Sequence, residues 1–373
     1  MINRDYTFLV GTYSDMDALA HQPHAPSAGD GIHAVNLRAD LSVDQGPITE
    51  TLNPAVLIPH PNGKSLYAIL ETIQSTGTVE RYEVQPDGKL NRCEQTQANG
   101  LSTCYLALSP KKDCAIVINY WDAIIDVCSV DEQGRLGEFH QSFKQYYRPT
   151  DQWRQVKDRE DHWVNRQVGP HAHCAHFWHD WVFIPDLGEN AVFQYHYDAE
   201  SKHLTPQTHI EFEPGSGPRH MVIHPSLDIC YISNELFNTV CVAKLDSTDP
   251  DSIKKRLEPI QYESTLDDRE STSYVSEIKL SPDARFLYIS NRGDNSIATF
   301  AVQSDGSLTR TALTPTGGKF PRHFAITPCG GALIASNQDS GNIRVFDRDV
   351  DTGVITDTGT VLDVPAPCYV RFI

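Results

Sequence analysis

One fifteen-residue phrase recurs along the chain and constrains its fold more than any other feature. It reads as an apolar strand, a tight turn and a second apolar strand, and it spans residues 57–71, 106–120, 221–235, 278–292 and 324–338. The turns are built on Pro61-Asn-Gly63, Pro110-Lys-Lys-Asp113, Pro225-Ser-Leu-Asp228, Pro282-Asp-Ala284 and Pro328-Cys-Gly-Gly331, residues that favour reversal of the chain. A shorter copy runs from Cys174 to Asp186 with His179-Asp180 as its turn. The copies end at Glu71, Tyr120, Asp186, Glu235, Arg292 and Gln338, giving steps of 49, 66, 49, 57 and 46 residues. A further alternating strand follows several copies, as in Gly77 to Val84, Ile124 to Val130 and Ala191 to Tyr197. Short strands at a period of about 40 to 50 residues, without long helical periodicity, mark the blades of a β-propeller.

Six copies plus a first blade, begun by Phe8 to Tyr13 and Gly31 to Leu37, make seven. A propeller leaves open edges unless its ring is fastened, so the last strand, Cys368 to Ile373, is expected to complete the first blade. The fold class is therefore all-β: seven four-stranded antiparallel blades in one domain over residues 1–373, although a chain of that length could hold two domains. The 66-residue step carries an insertion near 139–168, rich in Tyr, Trp, Arg and Gln. A long loop in a compact domain is usually functional; Trp153 and Trp163 could equally serve to pack it down.

Charge narrows the partners. A formal net charge of −18 argues against nucleic acid, whose binding rests on clustered Lys and Arg. The single short basic run, Lys254-Lys-Arg256, reads as a solvated loop. An acidic surface still permits a locally cationic pocket for a small anion. The nine cysteines are scattered singly, which suggests free thiols, not a disulfide framework or zinc knuckle. No charged-then-apolar leader and no run of about 18 apolar residues is present, so a cytoplasmic protein without membrane association is expected.

Chemistry is sought where matching copies differ. Ser-Asn recurs in Ile232-Ser-Asn-Glu235, Ile289-Ser-Asn-Arg292 and Ala335-Ser-Asn-Gln338, yet the residue after it changes. Those tips should face a shared cavity. A second ring stands at the start of each copy: His171 and His173, Arg219, Glu277, and Arg322. Converging Arg219, Arg292 and Arg322 would present forked donors to carboxylate or phosphate, and His171 or His173 would serve as general base or acid. His171 and His173, at i and i+2, share one side of an extended strand.

Each of these has a structural alternative. His220 and His323 match one another and could tie blades together through backbone. Arg219 and Arg322 could form blade-to-blade ion pairs, with Glu235 as a partner. Asp186 and Glu71 could hold backbone amides or an arginine. His-x-His beside acidic residues is ligand-like, but clustered guanidinium groups repel a cation, so no metal and no cofactor is expected. The chain has no Gly-x-Ser-x-Gly elbow, P-loop or dinucleotide fingerprint.

Taken together, Pro170-His-Ala-His173 with Ile184-Pro-Asp-Leu-Gly188, Gly217-Pro-Arg-His220 with Ser233-Asn-Glu-Leu236, Ser276-Glu-Ile278 with Ser290-Asn-Arg-Gly293, and Phe320-Pro-Arg-His323 resemble the seven-bladed propeller lactonases. That family includes 6-phosphogluconolactonase and 3-carboxy-cis,cis-muconate lactonising enzyme. The resemblance runs from Val10-Gly-Thr-Tyr13 to the last blade. It implies a metal-independent lactone hydrolase of carbohydrate metabolism acting on a small anionic sugar-acid lactone, with muconate cycloisomerisation or ligand binding without catalysis as alternatives. Its His, two Arg and Glu correspond by motif to catalytic His171, Arg219, Arg292 and Glu235, with His173, Asp186, Arg322, Glu277 and Gln338 as substrate-binding candidates. The family's shorter loop ends in Arg-Gln before Pro-His-Ala-His; Arg166-Gln167 is retained here, but Tyr146 to Asn165 departs from the pattern.

Overall fold

The recurring phrase folds as the two inner strands of a blade. In a computed structural model that describes residues 2–146, 164–246, 256–267 and 272–373, Pro218–Ile223 pairs with Ile229–Asn234, and Tyr274–Leu280 pairs with Phe286–Arg292. Seven four-stranded antiparallel sheets form the ring. The C-terminal strand Pro367–Phe372 is the inner strand of the first blade and pairs with Tyr6–Thr12, with Val10 opposite Val370. The expected closure is thus present.

Burial explains why the second strand of each copy is almost continuously apolar. Every residue of Ser65–Leu70, Cys114–Asn119, Trp181–Asp186, Ile229–Asn234, Phe286–Arg292 and Ala332–Asn337 is buried. Such a strand packs both faces against neighbouring blades, so it shows no alternation. Outer strands such as Leu257–Ser264 alternate between half-buried and exposed residues.

Two expectations shift. Residues 139–144 belong to the outer strand of the third blade, Leu136–Lys144, so the insertion begins after it. Gln145 fastens its root by donating to Asp186 Oδ2 at 2.9 Å and accepting from the Tyr195 hydroxyl at 2.9 Å; Trp153 and Trp163 lie outside the described residues. Arg256 is buried, not solvated, because its guanidinium lies 4.9 Å from the Trp181 ring centroid and donates to Asp246 O at 3.1 Å. Lys254 and Lys255 also lie outside the described residues.

The recurring Ser-Asn has a mechanical role. In the fifth, sixth and seventh blades the inner strand slips register between Pro218 and Met221, Val275 and Ile278, and Pro321 and His323. The serine engages the backbone of that slip: Ser233 Oγ accepts from His220 N at 3.2 Å, Ser290 Oγ accepts from Glu277 N at 3.1 Å, and Ser336 Oγ donates to His323 O at 2.8 Å. The asparagine reaches across to the third strand, as Asn234 does to Thr239 Oγ1 at 3.1 Å. A β-bulge re-aims the side chains it holds. Arg219, Glu277 and Arg322 all sit within these slips, and antiparallel pairing puts the start of each inner strand beside the end of the next, so both rings of candidates share one rim.

Candidate active site

A cavity of about 660 Å³ opens on that rim. Of the six tips, Glu71, Tyr120, Glu235 and Arg292 line it, together with His171, His173 and Arg322 from the inner ring. Below it lies a chamber of about 30 Å³, lined by Arg219, Glu277, His220 and His323 and shared with His173, Glu71 and Arg322. Asp186 and Gln338 line neither space.

Glu235 is the electrostatic centre. Its Oε2 lies 3.0 Å from Arg219 Nε and 2.9 Å from Arg292 Nη2, while its Oε1 accepts from Arg166 Nη2 at 2.8 Å. Burial alone would raise this carboxyl, but Arg292, Arg166 and Arg219 outweigh it and hold Glu235 well below the usual carboxylate range. Burial lowers Arg292 to about 9 even though Glu235 acts to raise it. Arg292 also donates to Val275 O at 2.9 Å, and its guanidinium lies 5.4 Å from the Phe320 ring centroid. Arg219 donates to Ser276 O at 2.9 Å. Both side chains are therefore fixed by carboxylate and backbone together.

His171 is fixed from three directions. Asp186 Oδ1 accepts from the His171 backbone N–H at 2.7 Å, and the ring stacks on Tyr120 with centroids 4.7 Å apart and planes 14° apart. Nδ1 lies 3.1 Å from Tyr120 O. A carbonyl oxygen can only accept, so Nδ1 carries the proton and Nε2 keeps its lone pair. Burial lowers this histidine to about 4, with Arg166 acting in the same direction. It is neutral at pH 7, in the tautomer a general base requires.

The remaining candidates divide by place. His173 is edge-on to Tyr120 and His220 and is held neutral by burial and by Arg219. Asp186 is fully buried and pushed up to about 6 by that burial; it holds the His171 and Glu189 amides, not the cavity. Glu277 sits between His220 Nδ1 at 3.2 Å and His323 Nε2 at 3.4 Å, with Lys279 Nζ at 2.8 Å. His323 Nδ1 accepts from Val370 N at 3.2 Å, which ties the last blade to the closing strand. Gln338 is buried beside His21 and donates to Asp339. Among the described residues no group of three or more His, Cys, Asp or Glu is arranged to hold a metal ion.

The motif comparison singled out no role for several lining residues. Arg166, from the short 3₁₀ turn Val164–Gln167, reaches both Tyr120 Oη at 3.1 Å and Glu235. Trp121, His21, Tyr274 and Phe320 complete the walls. Arg166 had a signal in its retention before the Pro-His-Ala-His segment, and Phe320 in its place before Pro321-Arg-His323; Trp121 and His21 stand outside the repeat, and Tyr274 opens the strand Tyr274–Leu280.

Comparison with known proteins agrees with the fold. A family profile described as "Lactonase, 7-bladed beta-propeller" matches residues 7–372. A 6-phosphogluconolactonase of Bacillus subtilis is 30% identical, covering 99% of this chain and 98% of its own. One from Formosa agariphila is also 30% identical, over 87% of this chain and 90% of its own. The crystal structure of a periplasmic gluconolactonase from Pseudomonas aeruginosa superposes with a TM-score of 0.85 at 27% identity, covering 99% of each chain.

Proposed function

The chain belongs to the seven-bladed β-propeller lactonases, and from that premise we propose that it hydrolyses the lactone of an anionic sugar acid, with 6-phosphogluconolactone as its substrate. The relatives named for that activity support the substrate. The observation that carries the reading is the charge around the site. In a protein of net charge −18, four guanidinium groups (Arg166, Arg219, Arg292 and Arg322) meet three carboxylates (Glu71, Glu235 and Glu277) at the cavity and the chamber beneath it. The surplus is cationic, as an anionic ester requires.

In this reading His171 Nε2 takes a proton from water as the water oxygen bonds to the lactone carbonyl carbon. The carbonyl oxygen becomes an oxyanion, stabilised by the Arg292 guanidinium. Collapse of the tetrahedral intermediate breaks the bond to the ring oxygen, which leaves as an alkoxide and takes the proton back from His171. The product is an open-chain hydroxy acid that ionises to the carboxylate. Glu235, ionised and encircled, is suited to aligning arginines and ill-suited to moving protons. Arg219 steadies it from below.

The nine cysteines are free, seven of them buried, and no described helix is long and apolar enough to cross a membrane; a reducing compartment such as the cytoplasm fits exposed Cys93 and Cys329. The test is hydrolysis of freshly prepared 6-phosphogluconolactone, followed by proton release above its spontaneous rate. Acceleration supports the reading. An unchanged spontaneous rate, with the lactone bound intact, would identify a binding protein instead.

A further inference from the structure

Among the four arginines of the site, one differs in how it is held. Arg166, Arg219 and Arg292 each lie within 3.0 Å of a Glu235 oxygen. Arg322 has no such contact. Its nearest carboxylate oxygen, Glu71 Oε2, stands 3.8 Å from Nη2, and both Glu71 oxygens already accept hydrogen bonds, from Tyr13 Oη at 2.9 Å and Ser102 Oγ at 2.8 Å. The guanidinium lies 5.3 Å from the Tyr13 ring centroid, and it makes no hydrogen bond among the described residues although it lines both the cavity and the chamber. Its charge is thus balanced at a distance by Glu71 while its five N–H donors stay uncommitted. Each Glu71 oxygen is already engaged by a hydroxyl, and the carboxylate stands outside hydrogen-bonding distance of the guanidinium.

We infer that Arg322 is the anchor for a substrate oxyanion remote from the lactone, a phosphoryl or carboxylate group, and that it sets specificity for charged over uncharged sugar lactones. The inference rests on the proposed lactonase reading and adds a division of labour to it. Three arginines are organised around Glu235 at the reacting end, and the fourth is left free to accept an external anion. The Tyr13 ring lies beside it, His21 and Phe320 are among the residues that line the cavity with it, and the two carboxylates of that cavity are Glu71, already bonded to hydroxyls, and Glu235, encircled by the other three arginines. A planar fork within hydrogen-bonding reach of the cavity matches two oxygens of one oxyanion.

Calorimetric titration of the full-length protein with the open-chain products tests this without turnover. The probes are 6-phosphogluconate, glucarate, which carries a second carboxylate, and gluconate, which lacks a distal charge. Arg322→Gln should weaken 6-phosphogluconate by roughly 30-fold, the scale of a lost bidentate charged contact, while gluconate changes by less than about 3-fold. Arg322→Lys, which keeps the charge but loses the fork, should fall between. A parallel loss for glucarate assigns the subsite to oxyanions in general; a loss confined to 6-phosphogluconate assigns it to a phosphoryl group. Equal losses for all three probes, or undiminished preference for 6-phosphogluconate in both variants, would overturn the inference. Selective loss in a protein that opens no lactone would leave the anchor standing and remove the hydrolase reading.

Discussion

At the scale of single residues, function follows from what each side chain's other atoms are doing. His171 can present a basic Nε2 because Tyr120 O accepts the proton on Nδ1. Glu235 stays ionised in a buried place because three guanidinium groups meet it. Replacing that carboxylate with an amide removes the charge and keeps the shape, leaving Arg219 and Arg292 buried beside a neutral group. Glu235→Gln is therefore expected to destabilise the protein by about 3 to 5 kcal/mol, as breaking a buried pair does. Lactone turnover should also fall, by roughly 100-fold, as the arginines lose their alignment. Denaturant unfolding and steady-state kinetics on one preparation check both. A variant as stable as the parent would show that the arginines do not depend on Glu235.

At the scale of elements, the blade hairpin is what makes the site possible, and it is also what made the sequence readable. Ser-Asn closes the bulge and braces the third strand, so the variable residue after it, Glu235 or Arg292, reaches the cavity. Repetition exposed those positions, because the mechanical residues recur and the chemical ones do not. It could not reveal Trp121 or His21, which stand outside the repeat, nor the place of the Phe320 ring in the cavity, nor separate Asp186 from the lining tips. Asp186 ends its strand like the others but turns to the His171 and Glu189 amides. The same segment carries a close approach. A Cβ on Gly188 would stand 1.8 Å from Gly169 O and 3.0 Å from His171 N, both backbone atoms. Gly188→Ala is thus expected to push the His171 segment outward and lower kcat by about 100-fold, the consequence of misplacing a catalytic group by about 1 Å. Unaltered kcat in a folded Gly188→Ala protein would mean that this contact does not position His171.

At the scale of the whole molecule, buried and half-buried histidines tie stability to pH. Burial holds His171, His176 and His220 to about 4, and it places His21, His173 and His323 well below their ordinary value of 6.5. The unfolded chain takes up these protons first as pH falls, so stability is full above 6.5 and is lost toward 4. Depressed Glu235 and Glu277 act in the same direction below the ordinary glutamate value of 4.5. Asp186, raised to about 6, opposes them weakly as a single group. Melting temperature should therefore decline steadily from pH 7 to pH 4.5, and a flat profile would contradict the buried neutral histidines. The central claim is that His171 of this propeller is the base that opens a sugar-acid lactone. Its most direct test is the rate of 6-phosphogluconolactone hydrolysis by the parent and by His171→Ala at matched fold stability. The account predicts a kcat lower by at least about 100-fold, the contribution of a positioned general base, with 6-phosphogluconate binding retained. Undiminished turnover by His171→Ala would contradict it.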